Sequence, residues 1–347
     1  MDFSLDDTQQ AVADLAATVL RNEPDHARVE HALVSAVGYD ETAWKGLAQA
    51  GLLSLALPES VGGDGAGTVE VGIVLAEVGR QTLPVPALAT LALGVVPVVA
   101  HGSQAQQFAL LGDVASGAIL TAALRDAAHD PVRGDRALSG TRIGVPFAAQ
   151  AQRILVPTAT GTAVLDPSVD GVTVIRTTSA TGAPEYTVRL ADVAVEDVLD
   201  VCADDFDRYA VAGAAAVADG VLAGALALTA AHLRTRQQFG KPLATFQAVA
   251  QQIADVYVTS RTMHLAATSV SWRLATGLDA DEDLAVAAYW LATEVPTAVQ
   301  VCHHLHGGLG VDVTYPLHRL FSHAKDLARF VGGSAKRLTA LGKRETL

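Results

Sequence analysis

Three successive patterns along the chain predict an α+β protein with an N-terminal helical domain, a central small antiparallel β-domain and a C-terminal four-helix bundle. Residues 1–118 carry apolar side chains at helical spacing, residues 119–205 carry short β-branched runs divided by glycines, and residues 206–347 return to long alanine-rich helical runs. Of the 347 residues, 50% are hydrophobic and 18% are charged. The chain can therefore bury a large core in more than one structural unit.

The formal net charge of −13 argues against partners that require a basic surface. Nucleic acids and anionic membranes are such partners, and we expect neither. Cys202 and Cys302 form no CxxC pair, and the acidic N-terminus does not resemble a signal peptide. The apolar run at 91–100 contains Gly94 and Pro97 and is shorter than the roughly 20 residues that span a bilayer. These features predict a cytoplasmic protein.

The N-terminal domain is predicted to begin with a helix that Ser4 or Asp6 caps. The apolar positions that follow recur at helical spacing: Val12, Leu15, Ala16, Val19 and Leu20. A further helix is predicted around Trp44 and ends at Gly51 or just beyond. The glycine-rich segment 62–67 is predicted to be a plain connection, because no Lys-Ser/Thr pair of a phosphate loop follows it.

The central domain is predicted from four short runs rich in β-branched residues, at 153–157, 162–165, 172–175 and 186–190. Gly161, Gly171 and Gly182 separate these runs. Short strands joined by glycine-containing turns are typical of a small antiparallel β-domain.

The C-terminal bundle is organised around one corner, residues 234–242, whose sequence is RTRQQFGKP. Gly240 and Pro242 are expected to end one long helix and begin the next, which leaves Arg236 and Phe239 facing outward. A planar guanidinium suits a pyrophosphate, and the neighbouring ring offers a flat face. On this segment alone, the simpler interpretation is a helix C-cap followed by proline at the first position of the next helix.

Two further segments give the corner its context. Residues 304–310 read HLHGGLG, and residues 315–326 read YPLHRLFSHAKD. With the corner, they resemble in order and spacing the motifs R-x-x-F-G-[KR], Q-x-x-G-G-x-G and Y-P-x-x-R-x-x-R-D-A-K of the acyl-CoA dehydrogenase family. The resemblance extends to the N-terminal third, where GLLSLALPE at 51–59 leads to EVGR at 77–80. It implies the three-part fold, an FAD cofactor and an acyl-CoA substrate.

The resemblance also implies a clamp for the adenosine end of FAD that reaches across a subunit interface. The matching residues are Arg236, Gln238, Phe239, His304, Gly307 and Gly308, with His304 where the family has glutamine. The flavin loop T-E-x-x-x-G-S-D and the triplet W-[IV]-[ST] of the family are not matched, since residues 124–130 read LRDAAHD and residues 145–149 read VPFAA. This departure puts the chain's own isoalloxazine site in question.

The base of the resembling family is a glutamate, most often in [YF]-E-G-T near the C-terminus. Val331 stands at that position here, and the alternative positions on the helix before the corner hold Ala210 and Val217. None of these side chains accepts a proton. The remaining candidates are the acids on or just before that helix: Asp204, Asp205, Asp207 and Asp219. Asp219 is predicted to face away from Val217 as a paired or half-exposed acid.

A rival interpretation is a metal site at the end of the third bundle helix. Its ligands would be Cys302, His303, His304 and His306. Consecutive helical residues and residues two apart do not converge on one point, so we predict no metal. Packing or surface positions are expected instead for His303, His306, His318 and His323.

Three hypotheses fit these residues. In the first, the chain is a subunit of an FAD-dependent acyl-CoA dehydrogenase, silent alone and paired in a heterotetramer with a second, similar subunit that supplies flavin site and base. Electrons would pass to an external electron-transfer acceptor. The second hypothesis is a self-sufficient enzyme with a relocated aspartate base, and the third is a non-enzymatic acyl-CoA-binding or scaffold protein. The retained clamp favours the first, because a scaffold needs no pyrophosphate contact.

Overall fold

The N-terminal domain is built from helices, as predicted. The computed structural model describes residues 3–20, 26–195 and 197–345. The helices are α1 (Asp7–Leu20), α2 (His26–Val34), α3 (Glu41–Gln49), α4 (Thr68–Gln81), α5 (Val96–His101) and α6 (Gln104–Leu111), and a π-helical segment, Leu88–Val95, precedes α5. Asp6 caps α1 by accepting a hydrogen bond from the Gln9 N–H at 2.8 Å. Trp44 of α3 donates its indole N–H to the Gly117 carbonyl at 2.8 Å, which ties the helices to the start of the β-domain.

The central domain contains two four-stranded sheets, in the orders β1-β4-β5-β8 and β2-β3-β7-β6. The strands are β1 (Leu120–Ala122), β2 (Arg125–Asp126), β3 (Ala137–Pro146), β4 (Arg153–Pro157), β5 (Thr162–Leu165), β6 (Val172–Thr177), β7 (Glu185–Ala194) and β8 (Asp197–Leu199). The described strands pair antiparallel except β1 with β4, which are parallel. The four predicted strands are confirmed. β3 escaped prediction because two register shifts interrupt its alternation.

The C-terminal bundle consists of α7 (Ala203–Thr235), α8 (Gln247–Ala275), α9 (Asp281–His306), α10 (Leu317–Phe330) and α11 (Gly333–Glu345). Gly332 and Gly333, with φ of 95° and 81°, separate the last two helices, because this conformation does not continue a right-handed helix. Counted as one interrupted element, α10 and α11 complete the predicted four.

Helix α7 lies at the centre of the molecule, against α4, α8 and α9. A Cβ on Gly220 would lie 1.7 Å from the Ala76 carbonyl oxygen, and a Cβ on Gly79 would lie 2.2 Å from that of Val217. The backbones of α4 and α7 therefore touch, which joins the N-terminal domain to the bundle. By length and composition α7 could also cross a membrane, although most of its apolar surface is buried inside this fold.

Candidate functional site

The predicted corner is an exposed β-hairpin. Two short strands, β9 (Gln237–Gln238) and β10 (Lys241–Pro242), pair antiparallel between α7 and α8. The turn residues Phe239 and Gly240 have φ of 52° and 76°, as type I′ hairpin turns require. The expectation that Gly240 ends α7 and Pro242 opens α8 is wrong, because the hairpin occupies the link between the two helices.

The side chains of the hairpin lie on the outer surface. Phe239 stands at its tip with 91% of its surface exposed, and its ring meets Phe246 edge-on with centroids 6.2 Å apart. Lys241 Nζ lies 4.4 Å from the centroid of the Phe246 ring. Arg236 and Gln238 are exposed as well. A guanidinium, an amide and an aromatic ring thus lie together on the surface of this chain.

The second motif lies beside the corner, at the end of α9. The His306 ring stacks on His232 of α7, with centroids 4.4 Å apart and planes 20° apart. The Arg236 N–H donates to the His232 carbonyl at 2.8 Å, so the stack joins the corner to the turn at Gly307–Gly308. A Cβ on either glycine would meet nothing within 4 Å, and His304 is exposed next to this open turn. The predicted clamp residues therefore share one end of the bundle.

The histidines at the end of α9 make hydrogen bonds and packing contacts within the chain. The His306 Nδ1–H donates to the Cys302 carbonyl at 2.8 Å, and Nε2 accepts from the Tyr315 hydroxyl at 3.0 Å. The His303 ring meets Phe321 edge-on with centroids 5.0 Å apart. Burial raises the pKa of the Cys302 thiol to about 11. Within the part of the chain that the structure describes, no three His, Cys, Asp or Glu side chains are grouped to hold a metal ion.

The positions that match the family base are apolar and packed. Val331 is 2% exposed, and its carbonyl accepts a hydrogen bond from Arg337 Nε at 2.5 Å. Arg337 Nη1 lies 3.2 Å from Asp207 Oδ2, which pairs one of the candidate acids with a cation. Ala210 and Val217 are buried on α7. No proton acceptor stands at any of the three matching positions.

Val217 borders a small cleft between the N-terminal domain, the β-domain and the bundle. The cleft has a volume of about 140 Å³, whereas ligand pockets usually begin at roughly 300 Å³. Its lining includes Phe147, Glu185 of β7 and Arg329 of α10. Both Arg329 Nη groups donate to the Glu185 carboxylate, one of them at 3.0 Å, and Arg125 Nη1 donates to the Arg329 carbonyl at 2.9 Å. These hydrogen bonds thus hold the β-domain against α10 beside the cleft.

The titratable groups of the cleft's described lining do not replace the missing base. Glu185 is held by the arginine just described, and Asp326 accepts hydrogen bonds from the Ala180 N–H at 3.0 Å and from the Thr181 N–H and hydroxyl at 2.9 and 3.0 Å. Burial lowers the pKa of His323 to about 4. Proton abstraction is most efficient when the pKa of the base lies near the operating pH, so this neutral imidazole is a poor base.

The segments that stand in place of the family's flavin loop and triplet make contacts with this chain's own side chains. Asp126 Oδ1 lies 3.1 Å from Arg142 Nη1, and Asp130 accepts a hydrogen bond from a threonine hydroxyl of β3 at 2.7 Å. Phe147, in the position of the triplet, meets Tyr39 edge-on with ring centroids 6.0 Å apart. The polar groups of the loop are therefore directed at protein partners.

Asp219 faces a different cavity, of about 250 Å³, between α4, α7 and α8. Its Oδ2 accepts a hydrogen bond from His264 Nδ1 at 2.9 Å. Asp204 and Asp205 lie in the first turn of α7. The acids considered as relocated bases are absent from the described lining of the Val217 cleft.

Two contacts of the site escaped prediction from the sequence. Arg329 and Glu185 are 144 positions apart, and no local pattern indicates their pairing. His232 and His306 are far apart in the sequence and lie on different helices, so their stack is not indicated by any local pattern either.

Comparison with known proteins places these features in one family. Residues 6–118 match the N-terminal domain and residues 206–345 the C-terminal domain of acyl-CoA dehydrogenases. The chain is 46% identical to the acyl-CoA dehydrogenase FadE28 of Mycobacterium tuberculosis, over 100% of both chains. It is similar in structure to the ChsE4-ChsE5 complex from Mycobacterium tuberculosis, with a TM-score of 0.94, 31% identity and coverage of 100% of this chain and 99% of that one. It is also similar to a steroid ACAD, Tcur3481-Tcur3483, with a TM-score of 0.90, 33% identity and coverage of 97% of each chain. The fold, the order of the motifs and these identities show that the chain belongs to the acyl-CoA dehydrogenase family.

Proposed function

We propose that this chain is the non-catalytic subunit of a hetero-oligomeric, FAD-dependent acyl-CoA dehydrogenase and holds the adenosine end of a partner subunit's FAD. One observation carries the proposal. The cleft beside Val217 is small, and its charged groups Arg329 and Glu185 are already paired with each other, whereas the clamp residues Arg236 and Phe239 are exposed. The chain has groups that can serve a neighbour and lacks those that would complete a site of its own.

The two ends of an FAD molecule fit this chain differently. The Arg236 guanidinium can give paired hydrogen bonds to a pyrophosphate, and Phe239 offers a ring face. The open turn at Gly307–Gly308 permits close approach to the backbone. At the flavin end, the family's loop and triplet residues are replaced, and Arg125 and Arg329 bond to groups of this chain. The residues fit the adenosine end and do not fit an isoalloxazine.

The division of the reaction follows from this fit. FAD accepts the β-hydride of an acyl-CoA thioester when it is bound in a complete site. Our chain's part is to bind and orient the cofactor through Arg236, Gln238, Phe239, His304 and the glycine turn. The α-proton is taken by a carboxylate of the partner, because Val331 accepts none.

The relatives support an assembly of unlike subunits. Two of the similar solved structures bear names with two components, ChsE4-ChsE5 and Tcur3481-Tcur3483. We infer a heterotetramer that holds about half as many FAD molecules as chains. The second structure is named a steroid ACAD, which makes a ring-bearing acyl-CoA the first substrate class to test. An external electron-transfer acceptor would reoxidise the flavin.

The proposal is tested by purifying the chain alone and together with a candidate partner. Native mass, flavin absorbance and acyl-CoA oxidation are measured for each sample. We expect a colourless and inactive chain alone, and a yellow, active heterotetramer with the partner. A yellow homo-oligomer with one FAD per chain and turnover would contradict the proposal and support a self-sufficient enzyme. Assembly without flavin would instead favour a scaffold.

A further inference from the structure

His306 contacts both motifs of the clamp. Its side chain is 6% exposed and lies directly before Gly307. Its ring stacks on His232 at 4.4 Å between centroids, and its nitrogens are bonded to the Cys302 carbonyl at 2.8 Å and to the Tyr315 hydroxyl at 3.0 Å. One imidazole therefore touches the end of α7, the end of α9 and the segment that leads into α10.

These contacts determine both the orientation and the protonation state of the ring. A carbonyl only accepts hydrogen bonds, so Nδ1 carries the proton, and Nε2 is free to accept from Tyr315. The neutral ring with hydrogen on Nδ1 satisfies both partners. Gly307 that follows has φ 60° and ψ −139°, a conformation that glycine adopts readily but does not enforce. The residues next to Gly307 therefore set the direction of the turn. Of its two immediate neighbours, His306 is buried and Gly308 is exposed.

Positive and neutral groups surround the stacked pair. Burial lowers the pKa of both imidazoles below 6.5, and His306 and Arg236 lower the pKa of His232 further. On α9, the next titratable neighbour is His303, whose pKa is lowered by burial and by the nearby His306 and His318. Among the described residues, no carboxylate is a principal influence on the pKa of either ring. Because the folded pKa values are depressed, the neutral stack is fully stable above pH 6.5 and is weakened as the pH falls below that value.

We propose that His306 is a positioning residue of the clamp. Stacked on His232 and held by Tyr315, it fixes the Gly307–Gly308 turn against the Arg236 corner so that the two motifs bind the adenosine end of FAD as one site. This inference rests on the proposed function, since it assigns a role to a residue that need not touch the cofactor.

The first test measures the FAD dissociation constant of the assembled heterotetramer. His306→Ala removes the stack and both hydrogen bonds, and we expect affinity to fall about tenfold, the equivalent of one or two hydrogen bonds. His306→Phe keeps a ring against His232, and we expect a smaller loss. Unchanged affinity in His306→Ala, with Arg236→Ala weakened, would overturn the positioning role alone. Unchanged affinity in both variants would remove the clamp and with it the proposed function.

The second test separates positioning from a general loss of stability. The FAD dissociation constant is measured at pH 5.5 and at pH 7.5. We expect the ratio of the constant at pH 5.5 to that at pH 7.5 to be larger for the unmodified protein than for His306→Phe, because the phenylalanine ring does not titrate. The same ratio in both would contradict the inference. In the chain alone, proton NMR should show the pKa of His232 rising in His306→Phe, because one of the influences that lower it is gone. An unchanged His232 titration would show that the two rings do not interact.

Discussion

The two regions of this molecule that matter for its chemistry differ in what surrounds their side chains. At the hairpin, Arg236 and Phe239 are exposed, and Gly307 and Gly308 of the neighbouring turn have free space where a side chain would stand. At the cleft, Val217 is buried, and Arg329 and Glu185 hold each other. Both regions carry arginines, but among the described contacts Arg329 of the cleft is paired with a carboxylate of this chain, whereas Arg236 lies exposed at the surface.

The contrast follows from the cost of burying charge. A buried charge without a partner is costly, and the charged groups of the cleft have protein partners. An exposed arginine has no such requirement, because water solvates it. Under the proposed function, Arg236 is therefore available to a cofactor held by another chain.

The largest effect should come from disturbing the packed interface between α4 and α7. Gly220→Ala places a methyl 1.7 Å from the Ala76 carbonyl oxygen, which forces α4 away from α7. We expect a loss of about 3 kcal/mol in the free energy of unfolding, at the upper end of overpacking effects. Thermal unfolding followed by calorimetry measures it. Gly308→Ala is the matched control, because its methyl meets nothing, and an equal loss there would erase the contrast between the two regions.

The next effect concerns the open side. Arg236→Ala removes a charge-assisted contact worth about 1.5 to 3 kcal/mol, so FAD should be held roughly 10 to 150 times more weakly in the assembled protein. Flavin occupancy after gel filtration, together with a titration of the apoprotein, gives the measurement. Arg234→Ala, a change at an exposed arginine in the last turn of α7, should retain full occupancy. Normal flavin occupancy in Arg236→Ala would remove the clamp assignment.

A smaller effect is expected from opening the cleft. Glu185→Gln and Arg329→Gln each break the pair, and a double-mutant cycle should give a coupling of about 1 kcal/mol, since the arginine is 41% exposed and solvent screens its charge. Chemical unfolding of the four proteins measures the coupling. A value near zero would mean that the pair does not hold the β-domain to α10.

The smallest effect should be at Asp219. Asp219→Asn retains a hydrogen-bonding side chain opposite His264, and its cavity is separate from the Val217 cleft. We expect acyl-CoA oxidation by the assembled protein to change less than about twofold, whereas removing a general base costs about 10²-fold or more. A loss of that larger size, with flavin still bound, would support the self-sufficient enzyme.

The sequence allowed prediction of the elements that depend on local pattern. The N-terminal helices, four strands and the long bundle helices were predicted, and the outward position of Arg236 and Phe239 is confirmed. The hairpin was missed because Gly240 and Pro242 are residues that also end and begin helices. Its signal was a Phe-Gly pair whose positive φ values belong to a two-residue turn.

The closed cleft depends on contacts between distant segments. The motif showed that Val331 stands at the position of the family base, but the sequence did not show which groups line the neighbouring cleft. The pairing of Arg329 with Glu185 depends on how β7 lies against α10, which no periodicity encodes. The same holds for Asp326, whose partners are backbone N–H groups of the loop before β7.

The backbone of Phe239 has an evolutionary consequence. A bulky residue at φ 52° costs about 1 kcal/mol or more relative to glycine, and its exposed ring recovers none of that cost through burial in this chain. Selection for the stability of the isolated chain would therefore favour glycine or asparagine at this position. Under the proposed function, the benefit of this phenylalanine is realised in the complex, where the hairpin tip exchanges stability of one subunit for function of the assembly.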